Sequence, residues 1–293
     1  MMISVNGSGS TWHGLSWTGP GPPNQAMPYV GLVTKDQEMQ SEQHGPAAVG
    51  NDQAAPVVQP ASSAESLENH LGGAEGKRYR AYQFGLVAPH VGRSLLEVGS
   101  GLGHFSEQFS GRLEYLIVSD NDPYCLDQLK ERYSGRDDVE VLELALPGEV
   151  KARRQVDTVV MMNVLEHIAD DSGALRDLAA AVEPGGRIVI WVPGYMQLYG
   201  DFDRLVGHVT RYTPKTLRRA VEGAGLTVEV CKPVNFLGGI AWWLAVRRAG
   251  VGHLNPRLAS LYDITVVPVT KVLERFIRPP FGQTVFCVAR VPR

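Results

Sequence analysis

From Tyr79 onward the chain alternates short, continuous apolar runs with segments whose apolar residues recur at helical spacing. A continuous run marks a strand buried on both faces, and an amphipathic segment after it marks a helix returning over the sheet. The runs predict strands at Ser94–Val98, Tyr115–Ser119, Val139–Glu143, Thr158–Met162, Arg187–Val192, Thr227–Pro233 and Thr284–Arg290. Between them, Pro123 opens a helix that runs through Arg132, and Asp171 caps another bearing Leu175, Leu178, Ala179 and Val182 on one stripe. Thr213 followed by Pro214 reads as an N-cap with proline at the first helical position, and Gly223 or Gly225 ends that helix. The pattern predicts an α/β fold with a mostly parallel sheet wrapped by helices on both faces.

The pattern fails in two places. Residues 1–62 are rich in Gly, Pro, Gln, Ser, Asn and Ala without helical or strand period, which predicts a disordered tail ahead of one folded domain over 63–293. Trp12, Trp17 and Tyr29 are the side chains there that a partner would grip, and SSAESLENHL, just after, has the makings of a capped helix. The second place is a helical extension over 236–281, inserted between the last two strands. Its apolar body around Trp242 and Trp243 ends in Arg247 and Arg248, and it reads as ordinary packing, a roof over a pocket, a homodimer interface or a membrane-surface contact.

Composition narrows the classes of function. The formal charge is −3 and the pI about 6.2, so no basic excess exists to track a phosphate backbone, and nucleic acid is not the expected partner. The longest apolar stretch, Phe236 to Val246, is interrupted by two glycines. It is well short of the roughly 20 residues that a membrane span needs. Three widely spaced cysteines, Cys125, Cys231 and Cys287, suggest neither a disulfide framework nor a zinc site, so a cytoplasmic protein is expected.

The chemistry concentrates at the ends of the predicted strands. In LLEVGSGLGHFS a buried strand meets Gly99, Gly101 and Gly103, a turn that lets a ligand approach the backbone and leads into the free N–H groups of a helix. The dinucleotide fingerprint uses the same physics. Here, however, His104 stands where its third glycine belongs, and Glu97 would repel a pyrophosphate. A ligand with a free ammonium suits Glu97 better. A nicotinamide-dependent oxidoreductase and a non-catalytic binding module remain the alternatives. In YLIVSDNDPYCL, Asp120 ends the second strand where a carboxylate can accept hydrogen bonds from both hydroxyls of a ribose. Asn121 and Asp122 are adjacent alternatives, Asp122 being equally suited to cap the following helix.

Two further segments, VDTVVMMNVLEHIADD and EPGGRIVIWVP, complete the series. The loop at Glu97, Asp120, the NVLEHI segment and the Pro184-Gly185-Gly186 turn, in this order, resemble the class I S-adenosylmethionine (SAM)-dependent methyltransferases. The nearest resemblance is to the group with a LEH motif, which includes ubiquinone-biosynthesis O-methyltransferases and natural-product tailoring enzymes. It spans roughly Tyr79 to Val291. The resemblance implies a seven-stranded sheet with its last strand antiparallel and SAM across the carboxyl ends of the first strands. It places Gly99, Gly101 and Gly103 along the methionine portion, Asp120 on the ribose, and Asn163 and Val164 beside the methionine. The acidic residue that the family often uses for adenine is replaced here by Ala145 and Leu146, which implies recognition through backbone N–H and apolar contact.

The acceptor is expected to be a small molecule methylated at oxygen or nitrogen. His167 is a candidate base, with packing beneath the cofactor as its other reading. GDFDRLVGHVTRYTPKTL supplies Asp203, His208, Arg211 and Tyr212. There His208 is a rival base, and Arg211 and Tyr212 either bind the acceptor or, with Arg211 paired to Asp203, brace the loop.

Overall fold

In the computed structural model the described residues are 76–249 and 256–293. The predicted tail over 1–62 and the SSAESLENHL segment lie outside them.

Seven strands form one sheet: β1 Ser94–Val98, β2 Tyr115–Asp120, β3 Val139–Glu143, β4 Val156–Met162, β5 Val182–Pro193, β6 Thr227–Val234 and β7 Thr284–Arg290. Their order is β3-β2-β1-β4-β5-β7-β6. Pairs from β3 through β5 are parallel, and β7 is antiparallel to both β5 and β6. The helices are α1 Lys77–Val87, α2 Pro123–Arg132, α3 Asp171–Ala180, α4 Asp201–Leu205, α5 Pro214–Gly223, α6 Phe236–Ala249, α7 Pro256–Leu261 and α8 Val267–Leu273, with a π turn over Tyr262–Val266 joining the last two.

The central strands are apolar throughout because both faces are covered. Leu96, Ile117, Val159, Met161 and Ile190 pack on one face under α3 and α5, while Leu95, Val118, Val160, Val189 and Trp191 pack on the other. The edge strand β6 instead alternates exposed and half-buried positions, as a strand with one free edge does.

Three expectations need correction. β5 begins at Val182 rather than Arg187, its register shifting between the Val156 and Thr158 pairings to accommodate a bulge with Gly185 at φ +82°. The cap of α3 is Asp170, whose carboxylate accepts from the Gly173 N–H at 2.9 Å, and Asp171 is the first helical residue. The glycine loop does not run into an α-helix. Gly99, Gly101 and Gly103 all have positive φ, and the chain manages only a 3-10 segment, Ser106–Phe109, before Gly111 turns it away.

The extension wraps the start of the domain. The buried Asp263 accepts the backbone N–H groups of Tyr79 at 2.8 Å and Arg78 at 3.1 Å, capping α1, whose own N-cap position is Gly76. Glu274 accepts from the Tyr82 hydroxyl and from the Phe236 N–H, tying α1 to α6. Among the described residues no helix is long and apolar enough to cross a membrane.

Candidate active site

The strand order reverses direction at β1, which lies between β2 and β4, and ligands in open α/β sheets bind outside the carboxyl ends of the strands at such a point. Gly99 follows β1, Asp120 ends β2 and Asn163 follows β4, so three segments far apart in sequence meet on one edge. Asn163 is exposed with φ +55°, and its N–H donates to the Trp191 carbonyl at 2.8 Å.

The glycine loop is tied down from both sides. The Gly101 N–H donates to Asp120 Oδ2 at 2.9 Å, and Asp120 Oδ1 accepts the N–H groups of Asn121 at 2.9 Å and Asp122 at 3.0 Å. Asp122 itself caps α2, accepting from the Tyr124 N–H at 2.9 Å. Val164 presses on the loop from β4: a Cβ on Gly99 would lie 2.6 Å from Val164 Cγ2, so only glycine fits. Gly103 is crowded in the same way by Leu129 of α2, 3.0 Å from its notional Cβ.

Glu97 is buried at the root of this loop, and its Oε2 has no hydrogen-bond partner. Burial raises its pKa from 4.5 to about 7, opposed by hydrogen bonds from Ser106 and Ser100. An unpartnered buried carboxylate oxygen beside a backbone cradle is the chemistry that an amino-acid ammonium completes. The residues therefore fit SAM: a glycine cradle, a carboxylate for the ammonium, and Asp120 with one lone pair left on Oδ2 for a ribose hydroxyl. Ala145 is exposed and Leu146 half-buried after β3, offering apolar surface in place of an acidic side chain. When bound, SAM supplies a methyl group already activated on a sulfonium.

Beyond β4, the 3-10 turn Leu165–His167 puts Glu166 inside the fold and leaves His167 at the surface. Burial pushes the Glu166 carboxyl up to about 8 and the His167 imidazole down to about 4. The His167 and His208 rings meet edge to face, 4.8 Å between centroids. His208 Nδ1 lies 2.7 Å from Asp203 Oδ1, and its Nε2 lies 3.7 Å from Glu166 Oε1. Sequence reasoning singled out both histidines but gave Glu166 no role of its own, although it sits between the same flanking residues.

Arg211 and Tyr212 are both buried. Arg211 donates through Nε and Nη2 to the two oxygens of Asp203, at 2.7 and 3.1 Å, and through Nη1 to the Gly194 carbonyl at 3.3 Å. Tyr212 donates to Asp171 Oδ2 at 3.1 Å. Their polar atoms are directed into the protein, which is the bracing arrangement rather than one open to an acceptor.

A recess of about 390 Å³ opens beyond the end of β5, lined by Tyr195, Gln197, Leu198, Gly239, Ile240, Trp243 and Phe281. Tyr195 takes φ +61° directly after Gly194, and Trp242 on the adjoining helix donates to the Leu198 carbonyl at 3.1 Å. The sequence pointed to this extension through its tryptophans, but not to Tyr195, because a strained residue after a strand leaves no trace in hydrophobic periodicity.

A mostly parallel seven-stranded sheet with a glycine cradle at its reversal point, an acidic residue ending β2 and β7 inserted antiparallel is the architecture of a class I SAM-dependent methyltransferase. The chain belongs to the methyltransferase domain family, whose model matches residues 75–230. It is a SAM-dependent methyltransferase. It is 28% identical over 163 residues to a ubiquinone biosynthesis O-methyltransferase from Aeromonas salmonicida, covering 50% of this chain and 67% of that protein. The fold is also that of a chain in the complex between the Haloferax volcanii Trm112 methyltransferase activator and a methyltransferase, with TM-score 0.54 and 18% identity over 80% of this chain and 100% of that one. An S-adenosylmethionine-dependent methyltransferase from Clostridium acetobutylicum matches with TM-score 0.51 and 8% identity, over 78% and 97%.

Proposed function

We propose that the protein transfers the SAM methyl group to an oxygen or nitrogen of a small, largely apolar acceptor. The observation that carries this is the recess of about 390 Å³ on the same edge of the sheet as the glycine cradle, its lining dominated by Tyr195, Leu198, Ile240, Trp243 and Phe281. A pocket of that size suits one small molecule and is too small for a folded partner. Similarity to a relative named a ubiquinone biosynthesis O-methyltransferase supports an oxygen acceptor.

Methyl transfer from a sulfonium is an in-line displacement, so the protein's task is to align donor and acceptor and, for a hydroxyl, to remove a proton. In this reading Glu97, Gly99, Gly101, Gly103, Asp120, Asn121, Leu146, Asn163 and Val164 hold the donor. His167 and His208 stand on the acceptor side of this reading as its two candidate bases. Asp203, Arg211 and Tyr212 hold His208 and the loop in place and act as positioning residues. The domain responsible is the chain from about residue 63 onward, with the extension over 236–281 forming the pocket wall.

The test is to incubate the full chain with methyl-labelled SAM and a panel of aryl and alkyl hydroxyl and amino acceptors, reading products by mass spectrometry. O- or N-methylated product with stoichiometric S-adenosylhomocysteine is the expected result, with His167→Ala or His208→Ala lowering turnover while donor affinity stays. Label appearing only on protein or nucleic acid would sink the small-molecule reading.

A further inference from the structure

Glu166, His167 and His208 each offer one ligand atom, and these atoms lie within 4.8 Å of one another. We propose that these three side chains bind a divalent transition-metal ion on the acceptor side of the donor cradle.

Glu166 carries the first part of the case. It is fully buried, and neither of its carboxylate oxygens has a hydrogen-bond partner. Two orphaned oxygens on one buried carboxylate are costly, since each forfeits its hydration without replacement. The buried cation Arg211 acts on Glu166 only through space, because its hydrogen bonds go to both oxygens of Asp203 and to the Gly194 carbonyl. A cation between Glu166 and the two imidazoles would meet it directly.

His208 carries the second. Its Nδ1 is hydrogen-bonded to Asp203 at 2.7 Å, which fixes the ring and directs the Nε2 lone pair toward Glu166 Oε1, 3.7 Å away. A carboxylate that orients a histidine through one nitrogen while the other faces outward is the supporting arrangement found behind metal-bound imidazoles. Asp203 is itself held by Arg211 and by the Gly200 N–H at 2.9 Å. Two donors on one ion, each at about 2.1 Å, sit roughly 3.0 to 3.5 Å apart. The Glu166 and His208 pair is close to that separation already, and the exposed His167 offers a ring nitrogen within 4.8 Å of both.

Two imidazoles and one carboxylate favour zinc, cobalt or ferrous iron over magnesium or calcium, which prefer all-oxygen sites. Three protein donors leave coordination positions open. If the acceptor reading above holds, a hydroxyl of the acceptor would occupy one of them and lose its proton to solvent more readily, as metal-bound water does, with His167 and His208 then serving as ligands in place of bases. The ion's binding does not depend on that reading.

Cobalt(II) substitution tests it. Untagged full chain, stripped with chelator, is titrated with Co²⁺ while the visible d–d bands of a low-symmetry site are followed, and Zn²⁺ is then added in competition. The expected result is one ion per chain, displaced by Zn²⁺, with affinity reduced at least tenfold in both Glu166→Gln and His208→Gln. S-adenosylhomocysteine binding, measured on the same samples, confirms that the variants are folded. Absence of the bands in the native chain, or bands of equal strength in both folded variants, overturns the proposal. Neither readout uses an acceptor, so a wrong acceptor assignment leaves the result interpretable.

Discussion

The guanidinium of Arg211 grips both oxygens of Asp203 inside the protein, Nε to Oδ1 at 2.7 Å and Nη2 to Oδ2 at 3.1 Å, and the same Oδ1 holds His208. Hydrogen bonds from His208 and Arg211 keep the Asp203 carboxyl below its usual range despite burial. Removing the arginine would strand a buried charge, which costs about 3–5 kcal/mol where a buried pair is broken. Arg211→Ala should therefore lower stability by that amount in urea unfolding. Arg211→Lys should lose much of the same stability, because an ammonium cannot reproduce the two-pronged contact. A change within experimental error would show that the loop is held by other contacts.

If the glycine loop holds the donor as proposed, donor binding should be sensitive to a single methyl group at Gly99. Its φ of +66° strains any L side chain, and the added Cβ would meet Val164 Cγ2 at 2.6 Å. Gly99→Ala should weaken S-adenosylhomocysteine binding by tenfold or more in calorimetry while the chain still folds. Pairing it with Val164→Ala should recover part of the loss, since that removes the clash but not the strain. Full affinity in Gly99→Ala would remove this loop from the donor site.

Glu97 links donor binding to stability through protons. In the unfolded chain it ionises near 4.5 and in the folded chain near 7, so between those values the folded state holds the extra proton. Stability attributable to Glu97 is thus full below pH 4.5, declines as pH rises toward 7, and is flat above. The difference is on the order of 3 kcal/mol, from the 1.36 kcal/mol that each unit represents. Glu97→Gln should flatten that segment of the stability curve and raise stability at pH 8, yet weaken donor binding. A variant with native donor affinity would show that the carboxylate does not meet the ammonium.

Asp263 caps α1 from the far end of the domain. Its substitution by alanine should cost about 1–2 kcal/mol, at the upper end for a helix cap because two N–H groups lose their acceptor in a partly buried setting. Hydrogen exchange should show Arg78 and Tyr79 losing protection first. Equal protection in the variant would place the anchoring of α1 in the Tyr82 and Glu274 contact instead.

The sheet was legible because its central strands are buried on both faces: the runs at Ser94–Val98 and Thr284–Arg290 match the observed strands end to end, as does the less buried edge strand Val139–Glu143. Boundaries slipped where local geometry overrides hydrophobicity, as at the Gly185 bulge, where polar residues stay within β5. The loop and Asp120 proposed to hold the donor could be picked out because glycines and a strand-ending aspartate leave marks in sequence. The acceptor side was only half readable. The pairing of Arg211 with Asp203 was one of two readings open from sequence, whereas the burial of Glu166 without a hydrogen-bond partner depends on segments brought together by the chain's path from β4 to α5. Asp263 and Glu274 gave no signal at all, being isolated acidic residues whose partners on α1 lie far away in sequence.

The order β3-β2-β1-β4-β5-β7-β6 divides labour along the chain. Every side chain assigned to the donor lies between Glu97 and Val164, whereas the recess is drawn from Tyr195 onward and closed by α6 and Phe281. The two halves meet along the β4 and β5 pairing, so selectivity can drift in the later half while the earlier half continues to serve one unchanging coenzyme.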